Sequence, residues 1–169
     1  MSDPAARSAT PELARFAVAD APAVNAVALA AWSEYRAHVA DFSRTAAVAA
    51  GLASLAGPVE LTVARLGGEL VGVVGYVPPR GARESLFPAD WALIRMLSVA
   101  PAARGRGIGR ALTEACLAAA RRDGAETIGL HTSPVMAAAL ALYRSMGFVL
   151  ERQIPDRNGI PYALYARRP

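Results

Sequence analysis

One stretch constrains this chain more than any other: Leu97-Ser98-Val99-Ala100-Pro101-Ala102-Ala103-Arg104-Gly105-Arg106-Gly107-Ile108-Gly109-Arg110. An apolar strand runs into a loop of glycines and arginines, and the loop opens a helix. Glycine has no Cβ, so its backbone reaches φ > 0 and its N–H groups can close around an anion. The start of a helix adds unpaired N–H donors and the positive end of the helix dipole. Arg104, Arg106 and Arg110 place three positive charges on the same few turns of chain. The pattern predicts a phosphate cradle.

The rest of the chain alternates in kind. Leu13 to Val18 reads as a first strand, with Asp20 as N-cap of a helix that presents Val24, Val27, Ala31, Trp32 and Tyr35 on one face. Ser43 to Leu55 predicts a second helix, stopped by Gly57-Pro58. Val59 to Leu66 and Leu70 to Val77 predict two strands around a Gly67-Gly68 hairpin turn. Pro78 to Pro88 is a loop, and Trp91 to Val99 a longer strand. Ile108, Leu112, Cys116 and Ala119 fall at helical spacing, which puts Cys116 on a buried stripe, and Asp123-Gly124 ends that helix. Thr127 to Thr132 is a short strand. Ser133-Pro134 reads as cap and first-turn proline of a helix that ends near Gly147. Phe148 to Ile154 and Tyr162 to Ala166 are the last strands, around an Asp156-Arg157-Asn158-Gly159 turn. The order β-α-α-β-β-β-α-β-α-β-β argues for an α/β fold with a partly antiparallel sheet.

Composition removes several classes. At 169 residues the chain suits a single domain (1–169), with a frayed tail at residues 1–9. A 54% hydrophobic content is that of a well-buried globular protein. Cys116 is the one cysteine, which excludes a disulfide framework and a multi-cysteine metal site. His38 and His131 lie too far apart for a paired metal motif, so no metal is expected. No apolar run reaches the roughly 18 residues that span a bilayer, and no leader is visible, so a cytoplasmic protein off the membrane is expected. The net charge of +4 is carried by arginine. It suits a phosphorylated cofactor or a nucleic acid.

Two motifs then stand in the right order. Arg104-Gly105-Arg106-Gly107-Ile108-Gly109 follows a strand, and Ala139-Leu140-Ala141-Leu142-Tyr143-Arg144-Ser145-Met146-Gly147-Phe148 follows one strand and one helix later. Together they resemble the GNAT superfamily of acetyl-CoA-dependent N-acetyltransferases over nearly the whole chain. The resemblance implies a mixed, mostly antiparallel central sheet with helices on both faces and strands splayed at the cofactor site. It implies an acyltransferase that passes acetyl from acetyl-CoA to a primary amine by direct attack in a ternary complex. The chain departs from the family at Met136, where many members carry Asn, and this puts one polar contact to the pantetheine arm in question. Dimers are common in the family, which leaves a homodimer open.

The resemblance places the CoA pyrophosphate on the backbone N–H groups of Arg104, Gly105, Arg106, Gly107, Ile108, Gly109 and Arg110. Exposed arginine contacts to phosphate are worth about 1 kcal/mol or less each, so the backbone should outweigh any one side chain. Leu97 and Val99 would offer backbone groups to the pantetheine arm in the manner of an added strand, and one N–H there would hold the thioester oxygen. Tyr143 is the expected general acid for the departing thiolate. A phenol of pKa ~10 facing a thiol of pKa ~8.5 donates uphill by only ~2 kcal/mol. By spacing alone Tyr143 shares a stripe with Met136 and Leu140, where a tyrosine is more often a core residue. His131, at the end of a strand before the second motif, is the expected base, with Glu84, Asp90 or water as rivals and a purely structural histidine as the alternative. The acceptor pocket is expected between Trp32, Tyr35, His38 and Phe42 on one side and Asp156 to Asn158 on the other, although Trp32 also suits core packing.

Other readings fare worse. The spacing of Gly105, Gly107 and Gly109 is GxGxG, not GxGxxG, and no acidic residue follows about 20 positions later at a strand end, which argues against a dinucleotide oxidoreductase. A nucleic-acid-binding module would need one basic stripe, whereas Arg104 to Arg110, Arg121-Arg122 and the C-terminus are scattered. A CoA-binding sensor without catalysis stays open, and the sequence does not identify the acceptor.

Overall fold

Along residues 10–169, which the computed structural model describes, the elements are β1 (Glu12–Arg15), α1 (Ala21–Ser33), α2 (Phe42–Ala50), β2 (Glu60–Leu66), β3 (Glu69–Val77), β4 (Ala92–Val99), α3 (Ile108–Arg122), β5 (Ile128–Thr132), α4 (Ala137–Ser145), β6 (Val149–Arg157) and β7 (Ile160–Arg167). This is the order expected from sequence. The expected tail at residues 1–9 lies outside the described residues.

Several boundaries differ from that reading. β1 stops at Arg15, and Val18–Asp20 is a 3₁₀ turn. Asp20 stands at the N-cap position of α1 as expected, but its side chain makes no cap bond to that helix. Its carboxylate accepts from Ala17 N–H at 3.0 Å and pairs with Arg65 on β2. Tyr35 lies beyond the end of α1, in a following turn. Gly51 divides the second helical stretch, so Leu52–Leu55 is a separate 3₁₀ turn. Ser133-Pro134 does not open α4: Ser133 O accepts from Met136 N–H at 2.9 Å in a turn, and the helix begins at Ala137. The last hairpin is tighter than expected, with Arg157 paired to Ile160 across Asn158-Gly159.

The strands form one sheet in the order β1-β2-β3-β4-β5-β7-β6. Every neighbouring pair is antiparallel except β4 with β5. The fold is therefore the α/β type that the two motifs imply, with a mixed, mostly antiparallel sheet. On one face α3 lays Ile108, Leu112, Cys116 and Ala120 on Val74, Tyr76, Ile94 and Leu130. On the other, Val24, Val27 and Ala28 of α1, with Ala49 and Leu52, cover Val63, Val73, Val77 and Leu93. Leu112 and Leu93 are fully buried, and burial of such a side chain stabilises the fold by about 1.5–3 kcal/mol. Cys116 lies in the stripe expected for it, and burial pushes its thiol pKa up to about 12.

The centre of the sheet opens. β4 and β5 pair only at Ala92 with Ile128 and Leu93 with Gly129. Past that point β4 is bulged: Val73 faces Ser98 and Gly75 faces Arg95, so Met96 and Leu97 share one position opposite Val74. Met96 has φ 52°, a left-handed conformation uncommon for a side chain of its size. A bulge of this kind bends its strand and ends pairing. The wedge is held at its apex by a close approach. A Cβ on Gly129 would fall 2.5 Å from Cε3 of Trp91. Gly129→Ala should therefore force the indole or β5 aside and destabilise the fold by about 1–3 kcal/mol. Urea unfolding, read as a lower midpoint at unchanged slope, checks this.

Candidate active site

The glycine loop lies at the wide side of this opening. Gly105 and Gly107 have φ of 74° and 76°. No atom lies within 4 Å of a Cβ built on either, so backbone conformation, not crowding, calls for glycine there. Gly107 stands at the N-cap of α3. Its carbonyl accepts from Ala111 N–H at 2.9 Å, which leaves the amides of Ile108, Gly109 and Arg110 without partners inside the helix. Gly109 is small for a different reason: its Cβ would sit 3.1 Å from Leu142 Cδ2 on α4. Around this helix start, Arg104 pairs with Glu34, and Arg110 Nη2 donates to Ser145 Oγ at 2.8 Å.

A groove of about 310 Å³ runs from the loop along β4. Leu97, Val99, Arg104, Gly105, Gly107, Ile108, Gly109 and Arg110 all line it, so eight of the nine residues expected at the cofactor converge. Arg106 is exposed and is not part of the lining. The opposite wall is Trp32, Tyr35, Met136, Ala139 and Leu142. The groove meets a neck of about 70 Å³ in the wedge between β4 and β5, which adds Arg95, His131, Tyr143 and Tyr162. Beyond the neck lies a third cavity of about 440 Å³, lined by Trp32, Arg44, Glu84, Arg95, His131, Asp156, Arg157, Asn158 and Tyr162 among others. Trp32 lines all three spaces.

On the wall of the far cavity a clasp joins the turn between β6 and β7 to the start of α2. Asn158 accepts from Asp41 N–H at 2.8 Å and donates to Asp41 O at 2.8 Å and Thr45 Oγ1 at 2.9 Å. Of the residues expected around the acceptor, Trp32 and Asp156 to Asn158 line this cavity. Tyr35 faces the groove instead. His38 is exposed, and Phe42 lies beneath Arg36, whose guanidinium carbon is 4.0 Å from the ring centroid. Neither lines the cavity. Met136, the expected point of departure from the family pattern, is an apolar wall shared by groove and neck.

Tyr143 is buried against Phe148, edge to face at 5.6 Å, and lines the neck. Burial raises its pKa above the ordinary phenol value. Among the described residues no side chain or carbonyl hydrogen-bonds its hydroxyl. His131 stacks on Phe87 at 5.6 Å and meets Tyr162 edge-on at 5.4 Å. Its Nδ1 is buried without a hydrogen-bond partner among the described residues. Burial, with Arg157 and Arg95 nearby, lowers its pKa to about 4, against a smaller opposing pull from Glu84. The ring is neutral at physiological pH. Glu84 accepts from Arg157 Nη1 at 2.6 Å and faces Arg95 Nη2 at 3.4 Å. Burial would raise its pKa, but the bond to Arg157 and both positive charges outweigh it, and the net shift is down. Asp90 is exposed and does not line the acceptor cavity.

Two residues here were missed in the sequence. Arg95 interrupts the apolar strand Ala92-Leu93-Ile94-Arg95-Met96-Leu97, and a charge inside a buried strand was the available clue. Phe87 belongs to a loop, and nothing in its neighbourhood pointed to His131.

Residues 24–148 match the sequence model of the acetyltransferase (GNAT) family. The chain belongs to that family, as the two motifs implied. Among curated proteins it is similar to N-acetyltransferase family 8 member 3 of Rattus norvegicus, 38% identical over 86 residues, which are 51% of this chain and 36% of that protein. N-acetyltransferase 8F1 of the same species is 34% identical over 125 residues, 69% of this chain and 50% of that protein. The chain thus spans between 36% and 50% of the length of these relatives. The fold is that of the PaiA N-acetyltransferase of Thermoplasma acidophilum, solved in complex with coenzyme A, at TM-score 0.74 and 15% identity over 94% of this chain and 99% of that one. It is also that of yncA of Salmonella typhimurium, described as a putative acetyltransferase with its cofactor acetyl-CoA, at TM-score 0.66 and 20% identity over 94% and 93%. Among the described residues no helix is long and apolar enough to cross a membrane, and no group of His, Cys, Asp and Glu is placed to hold a metal ion.

The histidine makes stability depend on pH with a definite sign. The unfolded chain takes up this proton near pH 6.5 and the folded chain near pH 4. Its contribution is therefore intact above pH 6.5 and is lost as pH falls towards 4, by about 3 kcal/mol in all. His131→Gln should flatten that part of the profile. Chemical unfolding at pH 7 and pH 4.5 should show a gap smaller in the variant by about 2 kcal/mol.

Proposed function

We propose that this chain is an acetyl-CoA-dependent N-acetyltransferase that acts on a primary amine by direct attack within a ternary complex. The observation that carries this reading is the continuity of the trench: unpaired amides of a helix start at one end, an unpaired strand edge along the wall, a tyrosine at the neck and a separate cavity beyond. Acetyl-CoA would supply the activated acetyl group as a thioester. The amides of residues 105–110 suit its diphosphate, since a multiply charged anion is held best by preorganised donors at a helix N-terminus, whereas the Arg104 amide donates to Pro101 O at 3.3 Å. Arg104 and Arg110 would exchange Glu34 and Ser145 for phosphate oxygens. Leu97 and Val99 lie on the part of β4 that β5 leaves unpaired, so their backbone groups are available to an extended amide-bearing arm.

In this reading Tyr143 holds a proton at Oη for the departing thiolate. Its raised pKa makes it a hydrogen-bond donor to sulfur first and a full acid only as charge develops there. His131 cannot strip an alkylammonium of pKa ~10, which would cost about 8 kcal/mol against a base of pKa 4. It is suited to a later step. A nitrogen that is bonding to a carbonyl carbon becomes far more acidic, and a weak neutral base then suffices. Arg95 and Arg157 assist by the same physics that holds His131 neutral, because positive charge and burial favour the free amine over the ammonium.

The spread of basic residues favours this reading over nucleic-acid binding. Arg104 to Arg110 and Arg121-Arg122 lie at opposite ends of α3, a helix about 22 Å long. Arg122 is moreover engaged with Glu60 and Asp123.

Thiol release from acetyl-CoA across a panel of amines tests the proposal. Turnover with at least one amine is expected, and binding of acetyl-CoA without turnover would leave the chain a sensor. Tyr143→Phe should lower kcat at least about tenfold while the KM for acetyl-CoA stays within about twofold; unchanged kcat would remove Tyr143 from the mechanism. In calorimetric titration with CoA, Gly107→Val should weaken binding by about tenfold or more, because a β-branched residue is strained at that φ. Arg104→Ala and Arg110→Ala should each cost about fivefold or less.

A further inference from the structure

We propose that the amine acceptor also carries a carboxylate, and that Arg95, assisted by Arg157, binds it; the acceptor is then an amino-acid-like molecule with an apolar body. This rests on the acetyltransferase reading above.

The argument starts from an unbalanced pair. Arg95 and Arg157 share one carboxylate, Glu84, and share it unequally: 2.6 Å to Arg157 and 3.4 Å to Arg95. The Arg95 side chain is only 23% exposed, yet that long contact is its one hydrogen bond among the described residues. A guanidinium that is mostly removed from water needs acceptors for its N–H fork. Arg83, a few residues upstream, shows how this chain satisfies an arginine of structural use. It donates to the carbonyls of Pro78, Gly81, Pro88 and Trp91. Arg95 has no such set.

Its place decides what the missing partner is. Arg95 lines the neck and the far cavity but not the groove beneath the glycine loop, so the cofactor phosphates do not reach it. Three guanidiniums line the far cavity (Arg44, Arg95, Arg157) against two carboxylates; Arg44 and Asp156 are both exposed, which leaves Arg95 and Arg157 facing Glu84 alone. His131 adds no charge at neutral pH. A planar carboxylate matches the guanidinium fork in two parallel hydrogen bonds. The same cavity is walled by Trp32, Val39, Val48, Ile160 and Tyr162, which suit an apolar or aromatic body.

Matched acceptors test this: phenylalanine with phenethylamine, leucine with isoamylamine, and tryptophan with tryptamine, each with the corresponding amino-acid amide. The carboxylate member should show the higher kcat/KM, by about 10- to 100-fold. Arg95→Gln should erase most of that ratio through KM, with a loss on the amino acid at least about tenfold larger than on the bare amine. Arg157→Gln carries the same comparison if the first variant does not fold. Independently of turnover, N-acetylphenylalanine should bind the CoA-saturated protein more tightly than N-acetylphenethylamine in calorimetric titration. The proposal is overturned if the bare amines are used as well as the amino acids, if Arg95→Gln lowers both members of a pair by the same factor, or if the two N-acetyl compounds bind alike. Absence of turnover with every amine would sink the acetyltransferase reading, and the titration would then decide the carboxylate preference alone.

Discussion

The parting of β4 from β5 is the constraint on which the rest of this structure depends. Two neighbouring strands that stop pairing leave main-chain groups unpaired in the middle of a sheet, a place where such groups are normally satisfied. The chain accepts that deficit past Leu93 and Gly129, where the bulge at Met96 and Leu97 bends β4. Every space described above opens onto that wedge. The groove along β4, the neck beside Tyr143 and the cavity under the last hairpin are three parts of one gap, with Trp32 common to them all.

The fold was largely legible because its signals are local. Helical stripes, the two glycine-bearing hairpin turns and the order of elements depend on residues close in sequence, and the glycine loop announces its own geometry. The misreadings have two kinds of cause. Asp20 has the chemistry of a helix cap, but Arg65, far away on β2, claims its carboxylate. Ser133-Pro134 has the composition of a helix start, but the chain first makes a local turn there, with Met136 N–H donating to Ser133 O, and Met136 lines the groove. The first is a long-range contact overriding a short-range preference; the second is one local preference overriding another.

The site was legible in one half. The glycine loop and Tyr143 belong to motifs, and eight residues expected at the cofactor line a single groove. The acceptor half is assembled from β4, the loop before it, α2 and the β6–β7 turn, which no spacing rule connects. Arg95 drew no attention because its meaning lies in what surrounds it: a carboxylate from the loop, a second arginine from β6 and a histidine from β5. His131 drew attention for its ordinary chemistry, yet burial and those same arginines lower its pKa to about 4.

The clasp between Asn158 and the start of α2 has a consequence of its own. It joins two loops more than a hundred positions apart in sequence, and it touches nothing that faces the glycine-rich end of the trench. Thr45 and Asn158 line the far cavity and are absent from the wall of the groove, so the two spaces are bounded separately there. Changes in the length or composition of the clasped loops can reshape the one while the other keeps its walls.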